Sequence, residues 1–169
     1  MLRQALLAAA LLGAAGLAAC VSVHRSDTLA ALPADLVGNA RIESVAVAHE
    51  PQIKVSSEFD TAFAERVKSK LDGCAKGAKP LRLEASIRRL DKTNPAVTLV
   101  IGGGKNAVRG HARLIDPATG AAVAEYEIGQ TVLGTRLATV QMVQPEKQMG
   151  EAFGDELCRQ AFPTMPAAR

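Results

Sequence analysis

The chain has 169 residues, of which 48% are hydrophobic and only 3% aromatic, and its formal net charge at pH 7 is +3. This length suits one domain with a real hydrophobic core. The weak, scattered positive charge and the lack of tryptophan argue against nucleic-acid binding, which needs a basic surface and aromatic side chains on which bases stack.

The N-terminal segment has the pattern of a secretory signal peptide. Arg3 precedes an apolar run over residues 5–15, and small residues follow as far as Cys20. A membrane-spanning helix needs roughly 20 consecutive apolar residues, whereas this run is shorter and is interrupted by glycine. The pattern therefore favours a cleaved signal peptide over residues 1–19 rather than a permanent span.

The end of this segment, Leu17, Ala18, Ala19 and Cys20, resembles the lipobox of bacterial lipoprotein precursors. The resemblance implies a diacylglyceryl group on the Cys20 thiol and an acylated cysteine as the new N-terminus. Two or three acyl chains, each contributing about 0.8 kcal/mol per buried CH₂, would anchor the protein permanently. Ordinary secretion after an Ala-x-Ala site is the alternative, against which the cysteine argues. In lipoproteins an Asp after the cysteine favours the inner membrane, so Val21 implies the periplasmic face of the outer membrane, with the inner membrane as the alternative.

Residues 20–40 show no sustained hydrophobic period and are predicted to form a lipidated N-terminus and a flexible tether. A single domain is predicted over residues 41–163, with a disordered tail over 164–169. The first predicted strand covers residues 42–48, where β-branched residues alternate with others.

A helix is predicted next, because Phe59, Phe63, Val67 and Leu71 recur at intervals of four. Ser57 with Asp60 three positions on is typical of a helix start, and Gly73 of a helix end. Alternating apolar residues then predict a strand over residues 81–88. Strand, helix and strand together predict a right-handed crossover between two parallel strands.

The remaining elements are predicted to be strands and one helix. A β-prone run covers residues 96–101 and is followed by three glycines, and a hairpin is predicted from segments 107–116 and 121–130. A second amphipathic helix covers 145–162. The predicted fold class is α+β, a two-layer sandwich of order βαβββα, with two helices packed on one face of a mixed sheet.

This order, the Gly-rich segment after residue 101, the Asp-Pro-x-Thr-Gly turn at residues 116–120 and the lipobox together resemble small proteobacterial envelope lipoproteins of unknown function. Their fold is similar to that of periplasmic assembly and activator lipoproteins, including those that stimulate peptidoglycan synthases and the curli-secretion family. The resemblance implies a binding role and carries over no catalytic residue.

The two further cysteines, Cys74 and Cys158, are predicted to form a disulfide, because the periplasm permits one. Free buried cysteines are the alternative. A zinc site that combines both with His111 is disfavoured, because the chain has no metal-binding spacing of histidines. The other histidines, His24 and His49, lie apart in the sequence, and no metal or other cofactor is expected.

Catalytic motifs are weak throughout the chain. The segment from Gly102 to Lys105 does not fit a phosphate-binding loop, because Leu99 stands at the first glycine position and Asn106 follows the lysine. Two adjacent serines, Ser56 and Ser57, lie in no nucleophile motif and are explained by helix capping. We therefore expect a protein that is not an enzyme.

Two segments are candidates for binding. The apolar, acid-poor segment 132–144 is predicted to contact a partner protein through Val132, Leu133, Leu137, Val140 and Met142, and an irregular strand extension packed on the core is the alternative. Basic residues could also converge into a strip facing anionic lipid or glycan, or could simply be solvated on strand faces. They are Arg88, Arg89, Lys92, Lys105 and Arg109.

The sequence thus predicts a membrane-anchored periplasmic lipoprotein that acts as a non-enzymatic protein-binding or envelope-assembly factor. Its expected partners are the membrane, through the lipid on Cys20, and an envelope protein. A small-ligand carrier for lipid or glycan, or a hydrolase, is the alternative. A deep pocket with convergent polar groups would favour the alternative, and a shallow apolar patch beside an exposed strand edge would favour protein binding.

Overall fold

The computed structural model describes residues 22–94, 103–135 and 145–163. The described elements comprise six strands and three helices. In chain order they are β1 (Ser22–His24), β2 (Asp27–Ala30), α1 (Ala34–Val37), β3 (Ala40–His49), α2 (Phe59–Cys74), β4 (Lys79–Asp91), β5 (Gly103–Ile115), β6 (Ala122–Thr135) and α3 (Pro145–Ala161).

All six strands form one mixed sheet. The strands β3, β4, β5 and β6 follow one another across it, and β1 and β2 both pair with β6 on its outer side. The pairing of β3 with β4 is parallel, and all the other pairings are antiparallel. The predicted α+β class with a mixed sheet is confirmed, as is the parallel crossover through α2.

The core lies between one face of the sheet and the two long helices. Alternation along β4 sends Leu81, Leu83, Ala85 and Ile87 into this layer, where all four are buried. Helix α2 packs on these β4 residues through one face. The buried residues of that face recur at every fourth position: Phe59, Phe63, Val67 and Leu71. The hydrophobic period in the sequence is therefore the buried face of the helix.

Helices α2 and α3 pack closely against each other on this face. Aromatic rings meet across the contact, with Phe63 and Phe153 centroids 5.7 Å apart in an edge-on arrangement. Two glycines of α3 allow the close approach. A Cβ atom added at Gly150 would lie 3.0 Å from Arg66 Cβ, and one added at Gly154 would lie 2.8 Å from Lys70 Cβ.

The two helices are also joined covalently. Cys74 at the end of α2 and Cys158 on α3 form a disulfide, with their Cα atoms 5.9 Å apart. This separation lies within the range in which two cysteines can be bridged without backbone movement.

The segment predicted to be a flexible tether contains regular structure from residue 22 onward. β1 and β2 extend the sheet beside β6, and α1 follows. Leu32 and Leu36 are buried in the core, and the Leu32 N–H donates a hydrogen bond of 3.0 Å to the hydroxyl of buried Tyr126. The folded part of the chain thus begins before residue 41, because these residues find partners about a hundred positions away.

Some local predictions differ from the structure in detail. The N-cap of α2 is Glu58, no side chain caps it, and Ser56 Oγ donates to Glu146 Oε2 on α3 instead of capping a helix. Two of the three glycines after residue 101, Gly103 and Gly104, lie at the start of β5. The predicted strand over 96–101, the signal peptide and the tail over 164–169 lie outside the described residues.

Candidate binding surfaces

The predicted partner segment is only partly described. Val132 lies on β6, is only 7% exposed and lines a small cavity with Gln148 and Ala152 of α3. Val132 therefore lies on the buried side of the sheet. This agrees with the alternative interpretation, a strand extension packed on the core, because β6 continues to Thr135. The backbone of Leu133 lies in β6, while Leu137, Val140 and Met142 are outside the described residues.

A different surface, the free edge of β3, has the character expected of a docking edge. Among the described strands, β3 pairs only with β4, so its other edge has no partner strand. The first half of β3 carries exposed Arg41 and Glu43 and a register shift, features that discourage further pairing. The second half, residues 44–48, reads Ser-Val-Ala-Val-Ala and has neither charge nor proline.

An open groove runs beside this edge. Val45 and Val47 are half-buried and form its floor together with Ala64 and Thr61 of α2. The groove has a volume of about 450 Å³ and is rimmed by charged side chains: Asp60, Glu65 and Lys68. A shallow apolar strip therefore lies directly beside an unpaired strand edge, which we call the β3 edge groove.

The opposite side of the sheet ends at β2. Its four residues are all exposed, and Leu29 is 56% exposed, the one exposed large hydrophobic side chain among the described residues. β2 pairs with β6 on one side only, and no other described strand pairs with it. Within the described part of the chain, the sheet therefore has two different free edges.

The basic residues singled out in the sequence separate into two groups. Lys92 turns to the helix layer, where its ammonium donates a 3.0 Å hydrogen bond to Glu146, and Arg88 pairs with Glu127 at 2.7 Å. Arg89, Lys105 and Arg109 come together on the sheet face that points away from the helices, where they line one pocket. The predicted strip therefore forms in part.

The two histidines whose side chains the structure describes do not share a site. His49 Nδ1 lies 2.7 Å from Asp60 Oδ1, and its ring packs edge-on against Phe59. His111 Nε2 lies 3.4 Å from Glu125 Oε2 without a hydrogen bond. Across the three described ranges, no group of three or more His, Cys, Asp or Glu residues is placed to hold a metal ion.

Two glutamates of α3 tie the helix to other elements. Burial favours a raised pKa for Glu156, but hydrogen bonds from Arg159, Gln160 and Ser26 outweigh it, and the pKa is lowered. Burial likewise opposes the charge on Glu146, and hydrogen bonds from Lys92 and Ser56 lower its pKa. The hydrogen bond at Glu156 fixes the turn between β1 and β2 against α3, and the one at Glu146 fixes the segment before α2.

Within the part of the chain that the structure describes, no helix is long and apolar enough to cross a membrane. The architecture is that of an α+β sandwich with one helical layer on a mixed sheet.

No protein-family model and no curated protein matches the chain. A solved structure does: the PelC dodecamer from Paraburkholderia phytofirmans, at 14% identity and a TM-score of 0.50, over 83% of this chain and 99% of that chain. At this identity the likeness concerns the fold alone.

Two more distant structures also resemble the chain. A single-residue variant of the same PelC dodecamer gives a TM-score of 0.44 at 14% identity, over 83% of this chain and 98% of that chain. A candidate lipoprotein from Caulobacter crescentus CB15 gives a TM-score of 0.38 at 14% identity, over 68% of this chain and 82% of that chain. Neither score is high enough to establish a shared fold.

Proposed function

We propose that this chain is a lipid-anchored, non-enzymatic protein of the bacterial envelope that assembles with further copies of itself, edge to edge along the sheet. The observation that carries the proposal is the uncharged second half of β3, residues 44–48, beside its apolar groove. Proteins usually protect such an edge with charge, proline or a bulge, and this part has none of them. Pairing with another strand would satisfy its outward-facing backbone groups.

The occupant that fits best is β2 of a second copy. β2 has a free outer edge at the other end of the same sheet, and it carries exposed Leu29, an apolar side chain of the size that the floor of Val45 and Val47 could accept. Contact between two different edges is heterologous, so it would repeat from copy to copy and close into a ring where the rotation permits. The PelC protein that shares this fold is a dodecamer, which supports the proposal.

The membrane anchor is the second part of the proposal, and it depends on the lipobox at residues 17–20. The acylated Cys20 would hold each copy at the periplasmic face of the outer membrane. Confinement to a surface raises the effective concentration of the copies, which favours assembly through a modest contact. The alternative of a carrier or hydrolase would need a deep pocket with convergent polar groups, whereas the β3 edge groove is open and its floor is apolar.

Oligomeric state tests the proposal. The lipidated full chain, purified in detergent, is expected to form multimers by native mass spectrometry. Ala46→Glu places a charge on the free edge and should shift the protein to monomers, and Leu29→Ser on the opposite edge should do the same. Ala118→Glu is the matched control, because it puts the same exposed charge on the hairpin turn, away from both edges.

A monomeric wild-type protein would overturn self-assembly, as would multimers that survive both Ala46→Glu and Leu29→Ser. A monomer that captures another envelope protein, and loses it through Ala46→Glu, would show that the edge binds a different chain and would also overturn the proposed occupant. Thermal unfolding of each variant checks that the domain stays folded, since changes at exposed positions usually alter stability by less than about 0.5 kcal/mol.

A further inference from the structure

The sheet face opposite the helices holds a concentrated group of basic residues. Arg89 of β4, Arg109 of β5 and Gly129 of β6 stand directly opposite one another across three neighbouring strands. Arg25, between β1 and β2, lies over Gly129 and donates its backbone N–H to the Gly129 carbonyl at 2.8 Å. With Lys105, four residues before Arg109, these side chains line a pocket of about 370 Å³.

The charges in this pocket are unbalanced. Arg89 pairs with Asp91, Nε to Oδ2 at 2.9 Å, and among the described residues that line the pocket Asp91 is the one carboxylate. Arg25, Lys105 and Arg109 have no carboxylate within ion-pairing distance among the described residues. Farther along the same face, Arg113 lies between Glu84 and Glu125, at 3.5 and 3.3 Å. Arg25 and Arg109 also line an adjoining pocket with Asp27 and Glu127, but neither carboxylate lies within ion-pairing distance of them, and Glu127 pairs with Arg88.

A bound anion would relieve the repulsion between these basic groups, which Asp91 offsets only at Arg89. Like charges on directly opposite strand positions, as at Arg89 and Arg109, repel each other. Guanidinium groups present planar forks that match carboxylate and phosphate oxygens. Gly129 contributes no side chain, and a Cβ there would lie 2.2 Å from the Arg25 carbonyl oxygen. The bare Gly129 backbone therefore lets the Arg25 main chain pack directly on β6, which brings Arg25 to the other basic groups around a pocket large enough for an anionic group.

The position of Arg25 in the chain indicates where that anion comes from. It lies five residues after Cys20, and five residues span at most roughly 18 Å when fully extended. A lipid on Cys20 would thus hold the pocket close to the membrane surface. We propose that the pocket binds the phosphate of an anionic lipid headgroup in the membrane that holds the anchor. The choice of a lipid source rests on the anchor in the proposed function, whereas the anion-binding chemistry does not.

Native mass spectrometry of the lipidated full chain tests this, in micelles that contain phosphatidylglycerol or phosphatidylcholine. Wild type is expected to retain phosphatidylglycerol in preference to phosphatidylcholine. Arg109→Gln should weaken that retention by at least about tenfold, because the headgroup phosphate loses a charged hydrogen-bond donor. Arg113→Gln is the matched control: it lies on the same strand and face, but is paired with Glu84 and Glu125, and should retain the lipid.

Several results would overturn the proposal. They are equal retention of the two lipids, equal losses in Arg109→Gln and Arg113→Gln, binding of free glycerol phosphate without binding of the lipid, or preference for an acidic oligosaccharide. The same spectra report the covalent acyl mass and the number of copies. Failure of the anchor or of self-assembly is therefore seen separately from failure of the lipid pocket.

Discussion

The close contact between α2 and α3 predicts opposite changes in stability for alanine substitutions at two helical glycines, Gly154 and Gly73. Gly154→Ala adds a methyl group on α3 that would lie 2.8 Å from Lys70 Cβ and 3.2 Å from the Val67 carbonyl oxygen. Neither atom is the far end of a flexible side chain, so the helices must move apart. Gly73→Ala adds the same methyl group near the end of α2, where no atom lies within 4 Å.

The magnitudes follow from these distances. Carbon atoms prefer a separation of about 3.5–4.0 Å, so the helices would have to separate by about 1 Å at Gly154. Overpacking of this kind costs about 1–3 kcal/mol, and the better helix propensity of alanine returns about 1 kcal/mol. We expect Gly154→Ala to lower the free energy of unfolding by about 1 kcal/mol. Gly73→Ala should raise it by about 0.5–1 kcal/mol, because only the conformational entropy changes.

Urea unfolding of both variants, with the disulfide intact, measures the difference. The midpoints should move in opposite directions at an unchanged slope, since neither substitution alters the surface exposed on unfolding by much. An increase in stability for Gly154→Ala equal to that of Gly73→Ala would show that the helices are not in tight contact. That result would contradict the close packing of α3 against α2 described above.

Three further predictions concern Cys74, Cys158, Glu156 and Cys20. Replacing both Cys74 and Cys158 by alanine should cost about 4.5 kcal/mol in a chain-entropy account, because the bond spans 84 residues; two free thiols in the denatured, unreduced protein would contradict the bond. The pKa of Glu156 is lowered, so its charge stabilises the fold above the ordinary value of 4.5 and this contribution is lost as the pH falls below it. Glu156→Gln should therefore lower the free energy of unfolding by about 1–2 kcal/mol near pH 7 and by less in acid, whereas a pH-independent difference would refute the linkage. Cys20→Ala should abolish lipid labelling, and acyl label that still migrates with the variant would exclude the lipobox.

The sequence was most informative where one face of an element is buried. The alternation in β4 and the four-residue period in α2 identified both elements and their inward faces, since burial imposes those periods. The parallel pairing of β3 and β4 followed from the crossover rule. The hairpin between β5 and β6 was also found, with Gly120 at a φ of 72° in its turn.

The short strands β1 and β2 could not be predicted in this way. All four residues of β2 are exposed, so burial imposes no pattern on them, and the strand forms because β6 offers a free edge. The basic pocket is only partly predictable from the sequence for the same reason. The sequence indicates Arg89, Lys105 and Arg109 as a group, but Arg25 joins them only through the pairing near Gly129, more than a hundred residues later.

The measurement that tests edge-to-edge assembly most directly is crosslinking between copies that each carry one added cysteine. Leu29→Cys marks the β2 edge and Thr61→Cys marks the β3 edge groove, and both positions are exposed. With a short thiol crosslinker, a mixture of the two lipidated proteins is expected to give crosslinked dimers, while each protein alone gives none. Crosslinks within Thr61→Cys alone, or none in the mixture, would contradict the proposed contact between the two different edges.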